Sequence, residues 1–97
     1  MTVTLLGGRP IRNPQIWLRQ AGRENVLYNP STESVHLLNN TALAIWELCD
    51  GETNPQEMIN AIVQVSSLPR EVVAEDVDRI LTEFGEARLV SWREEGA

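Results

Sequence analysis

The chain has no lysine, one cysteine, one histidine and no long apolar run. Each scarcity excludes something. A hydrolase or transferase needs a nucleophile with a base, and the chain offers one cysteine, Cys49, and one histidine, His36. Their contexts separate them: His36 falls in a strand-like run, Cys49 on the apolar face of a helix. Cys49 then reads as a small core hydrophobe, and no catalytic residue is expected. With no second histidine and no cysteine pair, a zinc site is not expected, nor any other metal or cofactor. A lone cysteine cannot form an internal disulfide, which favours a reducing, cytoplasmic setting. No apolar stretch approaches the ~20 residues of a membrane span. Residues 1–8 carry neither the basic start nor the apolar length of a signal peptide. Gly7-Gly8 lacks the spacing and the following helix of a phosphate loop.

Charge is plentiful and unevenly placed. All eight basic residues are arginine, against fourteen acids, for a net charge of −6. Residues 1–29 hold four arginines and one acid, a net of +3; residues 30–97 hold four arginines and thirteen acids, a net of −9. An acidic chain repels phosphate backbones and anionic lipid, so neither nucleic acid nor membrane is an expected partner.

The first half reads as strands and the second as helices. Ile16-Trp17-Leu18-Arg19, Val26-Leu27-Tyr28 and Val35-His36-Leu37-Leu38 are β-favouring runs. They are separated by Ala21-Gly22-Arg23 and by Asn29-Pro30-Ser31-Thr32, both turn-forming. Asn40 is placed to cap a helix with Ala42, Ile45, Trp46 and Cys49 on one face, and Gly51 to end it. Asn54-Pro55-Gln56-Glu57 is a capping box with proline at the first helical position. It opens a helix buried through Met58, Ile59, Ile62 and Val63. Residues 66–69 break that helix. A third begins at Pro69 or Arg70 and buries Val73, Val77, Ile80, Leu81 and Phe84; it ends at Gly85 or runs on to about Glu86. The expected class is α+β: a three-stranded antiparallel sheet followed by three helices, a winged helix-turn-helix arrangement. Residues 1–13 are expected to be a flexible N-terminal segment, 14–92 the folded domain and 93–97 a frayed tail. A winged helix raises DNA binding as a rival function, yet the third helix sets six acids against Arg70 and Arg79 and would repel a duplex.

Residues 35–51, reading Val-His-Leu-Leu-Asn-Asn-Thr-Ala-Leu-Ala-Ile-Trp-Glu-Leu-Cys-Asp-Gly, resemble the PqqD-like family. The carrying residues are Leu38-Asn39, Ala42, Ile45-Trp46 and Asp50-Gly51, then Glu57-Met58-Ile59, then Asp76-Val77 followed by Leu81. The resemblance spans roughly residues 25–92. The chain departs from the family at Arg88, where glycine is common, and at Glu33-Ser34, where pyrroloquinoline quinone (PQQ) pathway members carry Pro-Glu.

The resemblance implies a stand-alone RiPP recognition element. Such a protein is a non-catalytic adaptor that binds the leader of a ribosomally made precursor peptide as an added strand. It presents the leader to a leader peptidase or other modifying enzyme, with lasso-peptide biosynthesis favoured. The alternative is a PqqD-type chaperone working with a radical-SAM enzyme; a winged-helix DNA-binding regulator stands as a reading of another class. The implied site is Ser34, Val35, His36, Leu37 and Leu38 on the third strand. On the third helix Val73, Asp76, Val77, Ile80 and Phe84 form or support the opposite wall, with Arg79 and Glu83 able to read leader charges. The residues themselves agree: Ser34 to Leu38 has neither the proline nor the charge that usually protects an edge strand.

Overall fold

The computed structural model describes residues 8–94. Chain order is β1 (Gly8–Arg12), β2 (Trp17–Ala21), β3 (Glu24–Asn29), β4 (Ser34–Leu38), α1 (Asn40–Leu48), α2 (Pro55–Val65), α3 (Arg70–Glu86) and β5 (Val90–Glu94). The α+β class is as expected: β2-β3-β4 form an antiparallel sheet and three helices follow.

Tight turns set the sheet register. Gly22 has φ +63, the left-handed conformation glycine adopts without a Cβ clash, and it joins β2 to β3. Asn29 folds the next turn by accepting from the Ser31 amide at 3.0 Å, and Glu33 closes it at φ 58. The register Leu18↔Leu27↔His36 then puts alternate residues on one face. Leu27 and Leu38 turn inward and are buried; Trp17, Tyr28 and Val35 share the outer face.

The helices close over the inner face. α2 opens with both halves of the expected capping box, Asn54 accepting from Glu57 and Glu57 from Asn54. All five expected stripe residues of α3 are buried. The Arg70 guanidinium bonds Asn60, tying the start of α3 to α2. Ile45, Met58, Leu81 and Leu89 are fully buried in the shared core, and Trp46 meets Phe84 edge-on with centroids 5.8 Å apart.

Four expectations need correction. Residues 8–12 are not a flexible lead-in: they form β1, paired antiparallel with β5 from Gly8↔Glu94 to Arg12↔Val90. That pairing also orders Arg93 and Glu94, which the expected frayed tail included; residues 1–7 and 95–97 lie outside the described part. The cap of α1 is Asn39, whose side chain accepts from the Ala42 amide at 2.8 Å, so Asn40 is already helical. α1 ends at Cys49, two residues before Gly51. Gly51 (φ +80) serves a different turn, its amide donating to the Pro10 carbonyl. β1 is fastened there: Arg12 donates to the Trp46 and Glu47 carbonyls at 3.1 and 2.9 Å, satisfying the open end of α1.

Candidate functional site

β4 is an outer strand of its sheet, with no strand against its far side among the described residues. In an antiparallel edge, alternate residues turn both backbone N–H and C=O away from the neighbour. A row of donors and acceptors therefore stays open along Ser34–Leu38. α3 stands across from it, and between the two lies a groove of about 240 Å³.

The groove has an apolar floor and a polar rim. Leu38, Ala42, Ile80, Phe84 and Leu89 line it and are themselves buried. His36, Leu37, Asn39, Arg79 and Glu83 stand around the mouth. A shallower groove of about 390 Å³ shares Leu37, Leu38 and Asn39 and leads to Arg23 and Asn25. The edge is braced along its length: Thr32 and Ser34 hydroxyls lie 2.7 Å apart, and Ser34 Oγ is 3.1 Å from His36 Nε2.

Of the twelve residues expected at the site, seven line the groove: His36, Leu37, Leu38, Arg79, Ile80, Glu83 and Phe84. The other five stand elsewhere. Val73 and Val77 are core residues beneath the wall, each 1% exposed. Asp76 acts on the rim through Arg79, 3.3 Å away; Glu83 flanks the same guanidinium at 3.7 Å. Both ion pairs are solvent-facing and weak, so Arg79 is free to exchange them for a ligand's charge. Ser34 reaches the site through His36. Val35 turns to the outer face, 61% exposed. Sequence reasoning missed Asn39, Ala42 and Leu89; the small residue at 42 was visible, but not that it makes room beside the strand.

The arrangement offers hydrogen-bonding backbone, apolar pockets and a mixed-charge rim, the requirements for holding an extended peptide. Cys49 lies outside the groove, fully buried; burial pushes its thiol up to about 12 against the opposing Arg12 charge. Among the described residues no three metal-ligating side chains cluster, and no helix is long and apolar enough to cross a membrane.

The family described as coenzyme PQQ synthesis protein D (PqqD) matches residues 24–90, from β3 to the first residue of β5. No curated protein matches. Two solved structures share the fold. One is TbiB1 in complex with the TbiA(beta) leader peptide, with 23% identity over 90% of this chain and 96% of that one, TM-score 0.71. The other is lasso peptide synthetase B1 complexed with the leader peptide, with 18% identity over 86% and 98%, TM-score 0.75.

Proposed function

The chain belongs to the PqqD family, and from that premise we propose that it is a non-catalytic adaptor, a RiPP recognition element. It takes a precursor's leader as a fourth strand on β4 and presents it to a leader peptidase or other modifying enzyme. The observation that carries this reading is the open β4 edge beside the apolar groove walled by α3. The leader's backbone pairs with the edge, and its inward side chains enter the floor between Ala42, Ile80 and Phe84. Arg79 and Glu83 select charges at the rim. The adaptor's contribution is effective concentration: a tethered precursor meets the enzyme intramolecularly.

Lasso-peptide biosynthesis is the favoured setting, supported by the likeness to two proteins whose structures hold leader peptides. The family's own description favours a second setting, PQQ biosynthesis beside a radical-SAM enzyme. The short break at residues 66–69 between α2 and α3, beside a small sheet, supports the winged-helix description. A DNA-binding role is disfavoured because Glu71, Glu75, Asp78 and Glu86 are exposed on the helix that would enter the groove.

Calorimetric titration with a lasso-type leader, a PQQ-type leader and a scrambled control of each decides among these. Saturable binding of one leader, with its scrambled form inert, is expected. Equal heats from leader and scramble would overturn the adaptor reading.

A further inference from the structure

We propose that β2, the opposite edge of the same sheet, is a second strand-accepting site, one that takes an extended segment of a protein partner rich in carboxylates and apolar side chains.

Among the described residues no strand covers the far side of β2. Beside it opens a groove of about 460 Å³ between β1, β2 and the end of α1. Buried Ile16, Trp46 and Cys49 line it, while Ile11 and Leu18 reach it at 37% and 40% exposure. Partly exposed apolar side chains over a buried floor leave a surface that water covers poorly. The groove's wall is fixed, because Arg12 is bonded to two carbonyls of α1 and β1 is paired with β5. Open backbone beside apolar depressions is what an added strand needs.

Charge selects the occupant. Residues 8–23 carry Arg9, Arg12, Arg19 and Arg23 and no acid. Arg19 lies over the Trp17 ring on β2, 4.7 Å from its centroid, which holds the cation at this edge. Asp50 is the carboxylate among the lining residues, and its Oδ1 already accepts from both the Glu52 and the Thr53 amides at 2.9 Å. A carboxylate-bearing segment therefore meets positive potential here, whereas α3 with its six acids would repel it from β4. β1 and β2 also lie outside residues 24–90, so this edge is no part of what matches the family. The inference does not rest on the leader reading: it concerns the other edge and the other sign of charge.

The test is an amide NMR titration of the full chain with a capped peptide of alternating valine and glutamate, beside its valine–lysine counterpart. Saturable shifts in Trp17–Ala21 and residues 11–13 are expected with the glutamate peptide alone, weakening as salt is raised. Leu18→Asp, at a partly exposed position, is expected to weaken that binding about tenfold or more while leaving the dispersed spectrum of a folded protein. Arg19→Gln is expected to weaken it without affecting the fold. Shifts confined to Ser34–Leu38, equal shifts with both peptides, or none with either would overturn the proposal. So would two results without peptide: slow exchange of every β2 amide, which would mean the chain itself covers the edge, or β2 shifts on dilution, which would assign it to a second copy.

Discussion

Arg88 occupies a conformation that suits glycine. Its φ is 60, and it follows α3 in a closing motif: Leu89 N–H returns to the Phe84 carbonyl at 2.9 Å and Arg88 N–H to Gly85 at 3.1 Å. A side chain held there costs about 1 kcal/mol relative to glycine. Ordinarily Ala is the more stable replacement, by reducing the freedom of the unfolded chain. Here Arg88→Gly is expected to be more stable than Arg88→Ala by about 1 kcal/mol, read from urea midpoints. Cys49 gives a second residue-scale expectation. Its thiol stays protonated in the folded protein up to about 12, against an ordinary 9.0. Across that window the unfolded chain has lost the proton and the folded one keeps it, so stability contributed below pH 9.0 declines as pH rises toward about 12. Cys49→Ser or Cys49→Ala would remove that slope, and thiol reagents at neutral pH should label the native protein only as it unfolds. Cys49 was legible as core from its helical spacing. The left-handed backbone of Arg88 was not legible, because only the closed helix end imposes it.

At the scale of elements, local chemistry was readable and distant pairing was not. The α2 capping box and the α3 stripe are set by residues within a few positions of one another, and both form as expected. The β1–β5 pair joins segments at opposite ends of the chain, and Arg9 and Arg12 mask its strand character. The α1 cap failed by one residue, since adjacent Asn39 and Asn40 carry the same side chain and only geometry separates them. Asn39→Ala is expected to cost about 1 kcal/mol and Asn40→Ala less than about 0.5 kcal/mol, measured by thermal or urea unfolding. The β4 edge yields the matching functional expectation. Of His36 and Leu37, one turns its N–H to β3 and the other outward. His36→Pro and Leu37→Pro should therefore differ: one unfolds the sheet, while the other stays folded and loses leader binding by about tenfold or more. A folded proline variant at each position with unchanged affinity would exclude pairing along β4.

Across the whole molecule, the charge division read from the sequence becomes a spatial one. Arginines gather on β1, β2 and the following turn; acids gather on α3. The sheet exposes an edge toward each. Four of the ten groove residues, Arg79, Ile80, Glu83 and Phe84, were legible because they follow from helical spacing once α3 is placed. The rest depended on how the sheet faces: alternation puts Val35 and Leu37 together on the outer face, both largely exposed, yet Leu37 borders the groove mouth while Val35 sits opposite Tyr28. Val73 and Val77, expected in the buried stripe of α3 and as support for its wall, lie wholly in the core beneath it. The central claim is that β4 and α3 together hold a leader peptide. It is tested most directly by an amide NMR titration of the labelled chain with lasso-type and PQQ-type leaders, each beside its scrambled form. Saturable shifts concentrated in Ser34–Leu38 and residues 79–84, for an authentic leader alone, are expected. Shifts that avoid β4 altogether, or that a DNA duplex reproduces while leaders do not, would contradict it.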